Sequence, residues 1–376
     1  MSKEKLIVKN FGPIKDVEIE LEKVNVFIGE QAGGKSTLAK LVAIFRDWEV
    51  FEGKIGMHGL FERLNIKNFM IDSTEITYEG EAYRIRCVSG VSYVDGSTAF
   101  EKKVIRRETL RTRMRNFLAH MDQAIPRDVT KEYTRLSNEI KSSKYIPAER
   151  MLISLLSNSL FSMLDNEVAL PRFLIQFGNT YQLAKLNLSN TNFSKFGIRY
   201  ELSESNDFVT YNSRRFPLKE SSSGIQALLP LILVSSYFSN ATPDAIHSYI
   251  VEEPELNLYP TTQKILTEYL VEQCAKNGNN LILTTHSPYI LTVLSNLIQA
   301  SNVIQANPEL KEDVIKLIPE KYHLAFEDVR AYYIENGTAR SIMDAEYRTV
   351  DANPIDDVSE EIGEVFDKLL NLKYQK

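Results

Sequence analysis

Apolar and charged residues alternate over Val17-Glu-Ile-Glu-Leu21, and that period of two predicts a half-buried strand. Leu6-Ile-Val8 predicts another, with Asn10-Phe-Gly-Pro-Ile14 as the Gly/Pro-punctuated turn between them. Val24-Asn-Val-Phe-Ile28 is a third short strand. The spacing then changes: Leu38, Leu41, Val42 and Phe45 share one face of a helix expected from about Lys35 to Trp48. Residues 68 to 97 return to a strand-like pattern, with Tyr78-Glu-Gly-Glu-Ala82 as a hairpin turn. Lys102 to His120 and about Asp128 to Lys141 read as polar helices, Tyr145-Ile-Pro-Ala-Glu-Arg150 as a short extended piece, and Met151 to Leu164 as an apolar helix. Tyr200 to Phe216 holds two further strands.

The second half is more regular. A helix from Gly224, a strand His247 to Val251, a helix Pro260 to Cys274, a strand Asn280 to Thr284 and a helix from Pro288 follow one another. A late hairpin turns at Asn336-Gly337, and the tail from Val350 is acidic, then helical. This alternation predicts an α/β fold: a mixed sheet with an antiparallel edge near the N-terminus and flanking helices. Residues 1–50 and 219–376 are expected to form the core. Residues 51–218 are expected to be an insertion, largely helical over about 102–186 and β-rich over about 68–100.

Composition changes this picture little. The 376 residues are 43% hydrophobic and 25% charged, as in ordinary globular chains. A net charge of −6 excludes bulk nucleic-acid binding and leaves only a local patch. The two cysteines, Cys87 and Cys274, have no metal spacing and are expected as reduced thiols. The longest apolar run, Ile225 to Phe238, is too short to span a bilayer. With no signal-peptide pattern, a cytoplasmic location away from membranes is expected.

Four polar clusters follow strand or loop ends. Gly29-Glu-Gln-Ala-Gly-Gly-Lys-Ser-Thr37 fits the phosphate-binding pattern G-x-x-x-x-G-K-[ST] between a strand and a helix. Its glycines (Gly29, Gly33, Gly34) let backbone N–H groups wrap an anion, and Gln31 and Thr37 lie within the same loop. Lys35 is expected to reach the β- and γ-phosphates of ATP, and Ser36 to ligate Mg²⁺. Ile246 to Val251 leads into Glu252-Glu253-Pro254. Adjacent residues on a strand face opposite ways, so Glu252 is assigned to the metal and Glu253 to the attacking water as general base. Ser223-Gly224-Ile225-Gln226 opens a helix whose tip offers N–H donors to an anion, with Ser223 as its cap. His286, after Leu281 to Thr285, is placed to touch the γ-phosphate.

In this order the motifs resemble the ABC-type ATPase heads of the SMC-like branch, and among them the OLD-type ATPases and their stand-alone relatives in bacterial anti-phage defence. Val8-Lys-Asn-Phe-Gly-Pro-Ile14 and Tyr145 to Arg150 share in the resemblance. It implies slow ATP hydrolysis by a homodimer or higher oligomer, with each ATP lying between one chain's P-loop and the partner's Ser-Gly motif. Ser223, Gly224 and Gln226 would then act in trans, Leu256-Asn-Leu258 would lie at the seam, and His286 would sense the γ-phosphate. This sequence departs from the pattern at three points. Glu252 replaces the aspartate of transport ATPases, Ile225 stands where many relatives have glycine, and no glutamine fills the metal-bridging role, Gln123 being poorly placed. OLD proteins also carry a TOPRIM nuclease. The 90 residues after His286 hold no Asp-x-Asp, so a separate effector protein is expected.

One cluster lies outside these motifs. Lys102 to Arg115 contains seven basic residues and one acid, with Lys103, Arg107 and Arg111 at i, i+4 spacing. It leaves open a solvated face, an acidic partner or nucleic acid. The functions weighed on this basis are a defence sensor or scaffold, a DNA-repair or chromosome-maintenance ATPase that clamps nucleic acid, and, least supported, a transporter's ATPase subunit.

Overall fold

The computed structural model describes residues 4–52, 55–119, 127–138, 142–156, 170–204, 206–241, 245–275, 278–351 and 353–374. In chain order the strands that matter are β1 (Glu4–Phe11), β2 (Ile14–Leu21), β3 (Val24–Gly29), β4 (Met70–Glu79), β5 (Tyr83–Val88), β6 (Val91–Gly96), β7 (Ser142–Ile146), β8 (Asn190–Phe193), β9 (Ile198–Ser203), β10 (Asn206–Tyr211), β11 (Arg214–Pro217), β12 (His247–Glu252), β13 (Asn280–Thr285), β14 (Val329–Glu335) and β15 (Thr338–Ser341). Eleven of them form one sheet in the order β6-β5-β4-β1-β2-β15-β14-β3-β13-β12-β7. β14, β3, β13, β12 and β7 run parallel. β6 through β2 form the antiparallel edge. The expected mixed sheet with flanking helices is therefore present.

Burial explains the division. β3, β12 and β13 are buried at every position, as strands covered on both faces must be. β2 and β5 alternate buried with exposed positions, as strands wet on one face do. The P-loop helix, Lys35–Phe45, packs against β3, β7, β12 and β13. The helix Pro260–Cys274 packs against β12 and β13. A buried network fixes the P-loop helix to both halves of the sheet. Arg46 grips the Glu4 carboxylate with Nε and Nη2 at 2.6 and 2.8 Å and donates to Ser248 Oγ at 2.7 Å, and the Tyr78 hydroxyl also donates to Glu4. Removal from water works against the Arg46 charge, but Glu4 more than offsets this and holds the guanidinium protonated.

Residues 51–218 are less separate than their polarity suggests. β4–β6 extend the main sheet beyond β1, and β7 closes its other edge by pairing with β12. β8–β11 form a second, four-stranded sheet, where three strands replace the two expected over 200–216. The helix Arg150–Leu156 is the seen part of the expected apolar helix; residues 157–169 and Gln123 lie outside the described residues. Both cysteines are buried free thiols, and burial pushes Cys87 up to about 11. Among the described residues no helix is long and apolar enough to cross a membrane.

The basic helix, Thr98–Ala119, corrects one expectation. Two of the three residues read as an open cationic face turn inward. The Arg107 guanidinium lies 4.3 Å from the centre of the Trp48 ring and donates to Glu52, Ser137 and Tyr133. Arg111 pairs with the other oxygen of Glu52, and Arg106 with Glu132. Arg107 and Arg111 thus help to dock the helix onto its own chain, while Lys102, Arg106, Arg113 and Arg115 stay exposed.

Candidate functional site

The register brings the sequence motifs to one edge. Val251 stands opposite Ile146, Glu252 opposite Thr284, and Thr285 opposite Ile28, so four parallel strands end nearly level. Ligands of open α/β sheets sit beyond such carboxyl ends. The loop Gly29 to Gly34 leaves β3 there. Gly29 and Gly34 have φ of 146° and 109°, which side chains disfavour. A Cβ on Gly29 would lie 2.1 Å from the Ile334 carbonyl oxygen, and one on Gly34 would lie 2.2 Å from Ile14 Cδ1. The tightness of the loop thus depends on its neighbours β14 and the β1–β2 turn. Gln31 is exposed, Gly33 and Ser36 are half-buried, and Thr37 is buried in the first turn of the helix.

Lys35 is buried and folded over the loop, its ammonium donating to the carbonyls of Gly29, at 2.8 Å, and Glu30. Burial pushes its pKa down, and the charges of Glu253, Glu255 and Glu30 oppose that shift. The lysine and the glutamates therefore share one electrostatic site.

The two glutamates at the end of β12 do separate, but strand alternation is not the reason. β12 ends at Glu252, and Glu253 adopts the left-handed region at φ 42°. Glu252 stays buried beside the P-loop helix, where burial raises its carboxyl to about 7 against the opposing pull of Lys40, Tyr145 and Ser36. Its Oε1 is buried beside the Tyr145 hydroxyl and the Ser36 side chain without a well-formed hydrogen bond to either. Glu253 is turned outward, about one-third exposed, with Oε1 3.7 Å from His286 Nε2. A left-handed glutamate costs on the order of 1 kcal/mol, and such strain persists only where surrounding groups hold it.

Arg150 holds it. This fully buried guanidinium donates to the carbonyls of Glu252 (2.7 Å), Glu253 (2.9 Å), Pro254 (3.3 Å), Pro147 (3.2 Å) and Ala227 (2.9 Å). Burial lowers its pKa to about 10, and the surrounding glutamates, Glu255 first, keep it from falling further. One side chain thus fixes the strained turn, the end of the β7 motif and the Ser-Gly helix together. The Glu253 N–H completes the turn by donating to the Thr284 carbonyl at 2.9 Å.

Glu255 is a site residue that sequence reasoning passed over. Its Oε1 accepts from Thr285 Oγ1 and from the His286 N–H, both at 2.7 Å, and so locks the histidine loop to the glutamate turn. Its Oε2 is buried without a partner. Two carboxylates three residues apart after a strand were the available signal.

The Ser-Gly helix, Ser223–Ala241, differs in detail from expectation. Its cap is Ser222, whose Oγ faces the Ile225 N–H at 3.5 Å; Ser223 is the first helical residue and is exposed. Gly224 is needed for contact, because a Cβ there would lie 2.8 Å from the Asn257 carbonyl oxygen. Gln226 is buried, and its amide donates to Ser221 at 2.9 Å and Lys219 at 3.1 Å. In this chain it therefore braces its own loop.

A glycine-lined phosphate loop, a lysine and a paired acid at the carboxyl end of a parallel sheet define a P-loop nucleotide-binding protein. Residues 1–167 and 162–291 match the family described as AAA ATPase domain, and the chain belongs to that family. No curated protein matches the chain. Among solved structures it is similar to the SMC head domain from Thermotoga maritima, with 14% sequence identity, 91% of this chain and 98% of that chain covered, and a TM-score of 0.41.

Proposed function

We propose that the protein hydrolyses ATP between two copies of itself, closing and opening as an ATP-controlled switch. The observation that carries this reading is the shared ledge at Gly224 and Asn257. The tip of the Ser-Gly helix, exposed at Ser223, abuts the turn that carries Glu253, so both can meet a second copy's P-loop together. The P-loop amides and Lys35 would hold the phosphates. Glu253, oriented by its turn and beside His286, would take the proton of the attacking water. His286 would report the γ-phosphate to the Glu255-locked loop. By the motif resemblance, we assign this switch to the sensor or scaffold of a bacterial anti-phage defence system with a separate effector. The inward-turned arginines weigh against the nucleic-acid clamp.

Complementation tests the shared site. Lys35→Ala and Ser223→Arg should each abolish turnover alone. Mixed, they form one complete site per heterodimer and should restore roughly a quarter of the wild-type rate. No recovery on mixing, in chains shown to exchange partners, would remove the head-to-tail arrangement.

The residues also fit Mg²⁺. A buried carboxylate with an orphaned oxygen beside the Ser36 hydroxyl suits a hard cation that takes one or two protein oxygens and completes its shell with phosphate and water. Such an ion would neutralise charge developing on the phosphoryl group. A carboxyl raised to about 7 is mostly protonated at pH 6 and mostly ionised at pH 8. The cation must displace that proton, so apparent Mg²⁺ affinity should rise about tenfold from pH 6 to pH 8. Titration of the ATP complex, with Glu252→Gln subtracting the nucleotide's own ionisation, checks this. Equal pH slopes for both proteins would contradict it.

A further inference from the structure

In the C-terminal helix, Asn353–Tyr374, residues 363–374 are exposed, apart from half-buried Leu370. Val365, Phe366, Leu369 and Leu372 are each more than half exposed. An exposed apolar strip of that size on a helix is unfavourable in water.

The sequence says what should cover it. Ile355, Val358, Ile362, Val365, Leu369 and Leu372 are spaced three, four, three, four and three, a strict heptad over the whole helix. A period of 3.5 describes a coiled-coil seam, whereas a helix lying on a globular core shows a broader stripe. Charge is divided along the same helix. Asp356, Asp357, Glu360 and Glu361 fill the first half, while in the second Lys368 and Lys373 balance Glu364 and Asp367. A parallel pair would set acid against acid. An antiparallel pair sets each acidic half against the neutral half that carries the lysines.

We propose that this helix pairs with the same helix of a second copy, antiparallel, as a nucleotide-independent tether. The register follows from the heptad: Ile355 opposes Leu372, Val358 opposes Leu369, and Ile362 opposes Val365, so all six seam residues find partners in one alignment. Glu361 then flanks Lys368 of the other copy on both sides of the axis. The contact is separate from the ATP-dependent one proposed above. By holding two chains together it raises the effective concentration of one head for the other, so that closure need not wait for diffusion.

Sedimentation of the nucleotide-free full-length protein over a concentration series tests the tether. The native chain should be dimeric, and Val365→Asp with Leu369→Asp should weaken dimerisation by roughly a hundredfold or more. Circular dichroism and thermal melting check that the variant's domain stays folded. Orientation is read by cysteine cross-linking. Chains with Ile362→Cys mixed with chains with Val365→Cys should cross-link to each other and not to themselves, whereas a parallel pair gives the reverse. A nucleotide-free monomer at every concentration, a dimer indifferent to the Asp substitutions, or a helix that engages only a different protein would each overturn the proposal. ATP-driven dimerisation of the Asp variant on a Glu253→Gln background reads the ATP-dependent contact by itself, so the two ideas can fail independently.

Discussion

Glu253→Gln should lower ATP turnover by about 10²–10⁴-fold while leaving ATP affinity nearly unchanged, the range expected on losing a positioned general base. The turn explains why the effect should be so selective. What holds the left-handed conformation is main chain: the Glu253 N–H on the Thr284 carbonyl and the Glu253 carbonyl under Arg150. An amide at the tip of the side chain disturbs neither, so the variant should fold and melt as the native protein does. The P-loop contacts are equally untouched. What changes is the ability to accept a proton beside His286, whose Nε2 is 3.7 Å away. The variant should therefore bind ATP and stay closed, visible as a long-lived ATP-dependent dimer. Normal steady-state turnover by Glu253→Gln would transfer the base to another group, and Glu255 could not simply inherit the role. Its Oε1 already accepts two hydrogen bonds and its Oε2 is buried.

Much of this site could be read from the chain because its parts are local. A phosphate loop is nine consecutive residues, and the acids lie directly after an apolar strand, so spacing alone finds them. What could not be read depends on pairing between distant segments. β7, Ser142–Ile146, is short and half polar, and only its parallel register with β12 makes it part of the central sheet. Seven cations in fourteen residues look like an external surface until Glu52 and Trp48, some fifty residues away in sequence, are seen to receive two of them. The separation of Glu252 from Glu253 was expected for the wrong reason, because strand alternation stops where the backbone turns left-handed. The cap moved by one residue, from Ser223 to Ser222, an ordinary uncertainty at a helix end, and here it leaves Ser223 free and exposed.

Arg150 shows the same limit most clearly and yields the second large effect. Its motif was visible but its duty was not, since all but one of its five acceptors lie some eighty to a hundred residues away. Arg150→Met keeps much of the volume and removes every donor. Five carbonyls then lose the guanidinium, those of the strained glutamate turn among them; the Glu253 and Pro147 carbonyls keep a main-chain donor, the N–H groups of Leu256 and of residue 150. Each unsatisfied buried group costs about 1–3 kcal/mol before relaxation. Because the groups share one donor and can relax together, the loss should be about 3–5 kcal/mol in total and not the sum of the parts. In a chain of this size that lowers Tm by roughly 4–6 °C. Arg150→Lys should recover only part of the loss, because three donors on a flexible stem cannot reproduce a planar fork reaching five oxygens. Turnover measured well below Tm separates positioning from mere stability. If Arg150 holds the glutamate turn, kcat should fall in the folded variant while ATP binding at the P-loop persists. A variant that melts like the native chain and keeps its kcat would mean that the turn holds Glu253 without the guanidinium.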